Sequence, residues 1–171
     1  MIIIYIIREI ICRTPFYVWL IFIFLLKRGI RACKNGELSL PKMFIMPSVF
    51  AIWGLEKLLL KFNYLGISMI FYAIFIGFGT LASYCLYSRY RRLYIKDGYL
   101  YRTGSYLPIT IMMTNFSVKY LLNVAMNINP LLYNTLSFNI LYSLLSGFSI
   151  GLFIGGILQA FNAYSHLKAV S

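Results

Sequence analysis

The sequence predicts an all-α membrane protein: a bundle of five transmembrane helices with a short N-terminal interfacial helix and a small cytoplasmic β-hairpin. Three observations predict it. First, 61% of the 171 residues are hydrophobic and 12% are charged, against about 45–50% and about 25% in a typical soluble domain. Lipid solvates such a mixture and water does not. Second, nearly all the Lys and Arg residues fall in short clusters between apolar runs, the distribution that sets membrane topology. Third, turn-forming pairs interrupt the apolar runs at Asn35-Gly36, Asp97-Gly98 and Asn129-Pro130. Residues 1–171 read as one integral membrane domain.

Residues 2–12 are apolar apart from Arg8 and Glu9 and predict an amphipathic helix lying on the membrane. They do not read as a secretory signal, because the basic residues follow the apolar run instead of preceding it. The first span is expected over 14–32. Thr14 suits a helix cap and Pro15 a first turn, while Arg13, Lys27 and Arg28 snorkel at its ends. Tyr17 and Trp19 stand where an interfacial aromatic belt would be. The second span is expected over 43–61, kinked or shortened by Pro47. The third, over 63–87, has no charge.

The polar segment that follows carries "LYIKDGYLYR", with β-rich flanks around Asp97-Gly98, and predicts a hairpin over about 92–103. An isolated hairpin is marginal in water, so this one must dock on something. Tyr120 to Leu167 is free of formal charge and too long for one span of about 30 Å. The break is "NINP" at 127–130, which gives a fourth span over 106–126 and a fifth over 135–161.

Five spans distribute the charge unevenly. Eleven basic residues lie on the side of the first and third inter-span loops and the C-terminal tail, and four on the other. The positive-inside rule then places the N-terminus outside and the C-terminus in the cytoplasm of a bacterial inner membrane. The net charge of +12 is read as this topological signal and not as a nucleic-acid footprint. The expected partners are the lipid bilayer and a second copy or another membrane protein.

No cofactor, metal site or catalytic residue is expected. Cys12, Cys33 and Cys85 are scattered, and His166 stands alone; zinc takes about four N/S ligands. The four acids are too dispersed for paired-carboxylate chemistry, and "DGYLYRTGS" lacks the order of a phosphate-binding loop.

Two features invite a functional reading. Lys119 interrupts the fourth span, 13 residues beyond Tyr106, and Glu56 lies 13 residues beyond Met43 in the second. Both come to a depth of roughly 20 Å. A charge there costs at least about 2.5–3.5 kcal/mol on insertion scales and needs a partner, so Glu56 and Lys119 are expected to pair. In the fifth span Ser143, Gly147, Gly151 and Gly155 recur at i+4, a small-residue stripe that lets another backbone approach closely. It reads as packing within the chain or as an assembly face, with Asn115, Asn123 and Asn139 available for interhelical hydrogen bonds.

Thr14, Pro15, Val18 and Trp19, then Gly104, Ser105, Tyr106 and Pro108, then Lys119-Tyr120 and Gly147, form a pattern that resembles an uncharacterised family of small multi-pass bacterial inner-membrane proteins. Tyr106 stands where that pattern more often has tryptophan. The resemblance covers most of the chain after residue 12. It implies an inner-membrane location, makes Lys119 a recurring feature, and supplies no activity. The expected role is non-enzymatic: a scaffold or accessory subunit of a membrane assembly. The alternatives are a small transporter using Glu56 and Lys119, and a membrane- or lipid-state sensor whose basic loops read anionic lipid.

Overall fold

The computed structural model describes residues 16–96 and 99–170. The interfacial helix expected over 2–12, the Thr14-Pro15 start and the Asp97-Gly98 turn lie outside them. The described chain is mostly helical: α1 (Phe16–Ala32), a short α2 (Leu40–Met43), α3 (Ile45–Lys61), α4 (Leu65–Tyr90), α5 (Leu107–Ile128) and α6 (Leu136–Val170). Three helical stretches, Leu40–Lys61, Leu65–Tyr90 and Leu136–Lys168, are long and apolar enough to cross a membrane. α1 has 17 residues, and α5 carries Asn115, Lys119, Asn123 and Asn127, which lower its hydropathy.

The expected breaks occur with identifiable causes. Pro47 has no amide to donate to the Met43 carbonyl one turn back, and the helix restarts at Ile45 after a break at Phe44. At the NINP break, Asn129 is extended, its side chain accepts a hydrogen bond from the Leu131 amide, and a 3-10 turn spans Pro130–Asn134. α6 then runs for 35 residues, about 52 Å, instead of ending near 161. Its C-terminal turns meet the sheet: Ala160, Tyr164 and Leu167 pack with Leu38, Leu93 and Leu100.

That packing is where the hairpin docks. β2 (Leu93–Lys96) and β3 (Tyr99–Arg102) pair antiparallel. The sheet has a third strand that the sequence reading missed, β1 (Gly36–Glu37), paired to the outer edge of β3 with Gly36 opposite Arg102. The Leu38 amide donates to the Leu100 carbonyl at 2.7 Å. Gly104 follows β3 where the chain presses on the end of α1; a Cβ there would overlap the Cys33 carbonyl. Its amide donates to Asn35 Oδ1 at 2.6 Å.

The long helices alternate in direction, with one end of the bundle carrying the sheet. α1 runs antiparallel to α5, with Gly29 against Ile109 and Phe22 against Phe116. α3 runs antiparallel to α6, with Phe50 against Phe153 and Phe62 against Tyr142. α4 and α6 run parallel, in the closest contact of the fold: Gly147 lies on Tyr72, Gly151 on Ile76 and Gly155 on Thr80. The outside is apolar, with Leu60, Ile70, Phe78, Leu81 and Leu121 all exposed, while Asn115, Lys119, Asn139, Ser143 and Ser146 are buried. Polar groups inside and an apolar outer surface are what a lipid solvent selects.

Candidate functional site

The first candidate lies in the middle of the bundle. Lys119, on α5, has no exposed surface. Its ammonium donates to Ser146 Oγ on α6 and stands 5.3 Å from the centre of the Tyr142 ring. A desolvated cation–π contact of this kind is worth about 2 kcal/mol. Gly54 of α3 makes the room: a Cβ there would lie 2.5 Å from Lys119 Nζ. Tyr142 Oη in turn donates to the Gly54 carbonyl at 3.4 Å. One turn away, Asn115 Nδ2 donates to the Ser149 carbonyl at 3.4 Å, and Asn123 Nδ2 donates to the Lys119 carbonyl at 2.8 Å.

The expected Glu56–Lys119 pair is corrected. Glu56 is exposed, and its carboxylate meets Lys57 at 3.4 Å. What separates the two residues is the azimuth about α3. Successive residues on a helix turn by about 100°, so the face of α3 that presents Gly54 to the lysine turns Glu56, two residues on, to the opposite side. A hydroxyl beside an amine is also the minimal form of a serine nucleophile with a lysine base. Ser146 and Lys119 are both fully buried.

The small-residue stripe is packed within the chain. Gly147, Gly151 and Gly155 face α4, so the assembly-face reading of these glycines is corrected. Ser143, also fully buried, turns its hydroxyl back to the Asn139 carbonyl at 2.7 Å. Ser83 on α4 adds a hydrogen bond to the Leu152 carbonyl across the same seam.

The second candidate draws on the basic loops, which the sequence offers as topological charge and, in the sensor alternative, as readers of anionic lipid. At the sheet end of the bundle a cavity of about 240 Å³ is lined by Arg28, Arg31, Lys42, Arg91 and Arg102, with Glu37 as the single acid. The helix ends and the strand register bring these together: pairing Gly36 with Arg102 folds β3 back over the end of α1. Arg91, at the end of α4, is almost completely buried. Its Nε donates to Gln159 Oε1 at 3.0 Å, its Nη2 to the Gly156 carbonyl at 2.6 Å, and its guanidinium stacks 4.4 Å from the Tyr87 ring. Arg102 Nη2 reaches the Arg31 carbonyl at 3.5 Å, and its buried Nε has no acceptor among the described residues.

Burial pulls the Arg91 pKa down to about 10, with Tyr87 opposing and Arg102 adding to the shift. Burial likewise lowers that of Arg102. Among the described residues the only ion pair is Lys57–Glu56, so no described carboxylate forms an ion pair with the cations around the cavity. Among the same residues no three His, Cys, Asp or Glu side chains are grouped to hold a metal.

Comparison of the chain with protein-family models, with curated proteins and with solved structures finds no match. The functional reading therefore rests on the geometry.

Proposed function

We propose that the chain is a non-enzymatic, five-span protein of the bacterial inner membrane that reads the anionic lipid of the cytoplasmic leaflet, with its N-terminus outside and its C-terminus in the cytoplasm. The observation that carries this reading is the gathering of Arg28, Arg31, Lys42, Arg91 and Arg102 around one cavity at the sheet end of the bundle. An anionic leaflet attracts each such cation by about 1 kcal/mol. The alternating helix directions and the charge asymmetry support an odd number of spans. For α5, the polar residues Asn115 and Lys119 are turned inward while Leu121 is exposed, which suits a helix in lipid despite its composition.

The scaffold reading and the transporter reading lose their named supports. The first needed the glycine stripe as a free face, and α4 fills it. The second needed Glu56 beside Lys119. The sheet, by contrast, carries Arg102 of the cavity lining and packs through Leu100 on Ala160 of α6, so lipid bound there bears directly on it. The test is amide hydrogen exchange of the full chain in nanodiscs. Replacing phosphatidylcholine by phosphatidylglycerol is expected to slow exchange at Leu38 and Thr103, whose amides hold β1 and the end of β3. Equal rates in the two lipids would contradict the reading.

A further inference from the structure

The cavity at the sheet end has a polarity gradient that a diffuse basic surface lacks. Its cations stand at helix ends and on β3, whereas the apolar lining lies about one turn deeper. Met46 follows Lys42 by one turn, Met112 follows Pro108 by one turn on α5, and Phe153 precedes Ile157 by one turn on α6, and all six line the cavity. The rim is dominated by guanidinium groups, whose planar forks match phosphate oxygens two at a time.

Two of these groups are held ready. Arg91 is fixed by Gln159, the Gly156 carbonyl and the Tyr87 ring. Arg102 keeps a buried Nε with no acceptor among the described residues. A buried donor without a partner is costly, and one in a cationic cavity is relieved by an anion. Arg28, which also lines the cavity, is anchored by a hydrogen bond from Nη2 to the Lys42 carbonyl. Glu37, the only acid in the lining, is in ion-pair contact with none of the described cations.

We infer that this cavity is a discrete binding site for the phosphate headgroup of an anionic lipid, held by Arg91, Arg102 and Arg28, with the glycerol and first methylenes lying on Met46, Met112 and Phe153. The inference rests on the proposed reading that this end faces the cytoplasmic leaflet. The volume fits a headgroup and not a whole amphiphile: about 240 Å³ is below the roughly 300–1,000 Å³ of pockets that engulf a drug-sized ligand. The tails therefore stay in the bilayer. A free phosphate ion would use the rim equally well but would gain nothing from the apolar wall.

The test is native mass spectrometry of the full chain, delipidated in mild detergent and titrated separately with phosphatidylglycerol, phosphatidylcholine and inorganic phosphate. Three proteins are compared: wild type, Arg102→Gln and Arg92→Gln. Arg92 is exposed and carries the same charge outside the cavity. The Arg102 side chain makes one long hydrogen bond to the described residues, and thermal unfolding checks that its variant remains folded.

Wild type is expected to retain one phosphatidylglycerol in preference to phosphatidylcholine. Arg102→Gln weakens that retention about tenfold, and Arg92→Gln leaves it unchanged. Equal weakening by the two variants would overturn the site while leaving a diffuse lipid-reading surface intact. Retention of inorganic phosphate as strong as that of the lipid would overturn the lipid assignment. No preference for phosphatidylglycerol over phosphatidylcholine would overturn the site and the proposed function together.

Discussion

Gly151 of α6 lies against Gly79 of α4 with no side chain between them. A Cβ added at Gly151 would come within 2.8 Å of Gly79 Cα, and one added at Gly79 within 3.1 Å of Gly151 Cα. Two parallel helices in lipid gain their association from such close packing, since lipid offers no water to expel. The seam is thus a place where the fold tolerates no added volume. Gly151→Ala is expected to lower stability by about 1–3 kcal/mol, and Gly151→Leu to prevent the two helices from closing. Gly77, on α4, has open space around it; Gly77→Ala is expected to be neutral or stabilising by about 0.4–1 kcal/mol. Thermal unfolding of the three variants in one detergent makes the comparison.

The Lys119–Ser146 contact gives a second prediction. Ser146→Ala leaves the buried ammonium without its hydroxyl partner and is expected to cost about 1–3 kcal/mol. Lys119→Met keeps the stem volume and removes the charge; combined with Ser146→Ala, it recovers most of that loss, because apolar replacement of both partners is often near neutral. Glu56→Gln changes stability by less than about 0.5 kcal/mol, since Glu56 is exposed and meets only Lys57. A double-mutant cycle for Lys119 and Ser146, beside one for Lys119 and Glu56, separates the observed partner from the one that depth alone suggested.

The sheet is held to the bundle at two named points. Leu100 is buried with Ala160 of α6, and Gly104 lies on the Cys33 carbonyl. Leu100→Asp or Gly104→Ala is expected to release the sheet without unfolding the helices. The readout is faster exchange at the Leu38 amide, which donates to Leu100, with exchange in α4 unchanged.

Arg91 predicts a pH dependence. Burial lowers its pKa in the folded protein to about 10, well below the ordinary guanidinium value of the unfolded chain. Between those values the unfolded chain binds the proton more tightly, so stability rises as pH climbs through about 10. Below that the buried cation is a constant cost. The contribution is read as the difference in unfolding free energy between wild type and Arg91→Met from about pH 9 to about pH 12. Saturation with phosphatidylglycerol, which favours the charged form, is expected to flatten the difference.

Much of the fold was legible because the signals are local. Pro47, the NINP break and the strands flanking Asp97-Gly98 act within a few residues of themselves, and each span expected from them has a helix. What was not legible depends on which face of one helix meets another. Glu56 and Lys119 share a depth, but rotation about α3 gives the lysine Gly54 instead. The i+4 glycines declared a close contact but not its partner, and Gly79, Ser83 and the carbonyls of α4 carry no distinctive pattern. The basic cavity was hidden for the same reason. Arg28, Arg91 and Arg102 are far apart in sequence, and the two-residue strand β1, which folds the sheet over the end of α1, has no signal of its own. Gln159 and Ser146, the partners of the two buried cations, look like ordinary polar interruptions of an apolar helix.

The central claim is that the chain crosses the membrane five times with its charged, sheet-bearing end in the cytoplasm. The direct measurement is labelling of intact cells with a membrane-impermeant maleimide. Single cysteines are introduced at Asn35, Asn63, Asn134 and His166, all exposed, after Cys12, Cys33 and Cys85 have been replaced by serine. The account predicts that Asn63→Cys and Asn134→Cys are labelled from outside, and that Asn35→Cys and His166→Cys react only after the cells are opened. Labelling of Asn35→Cys or His166→Cys in intact cells would contradict it.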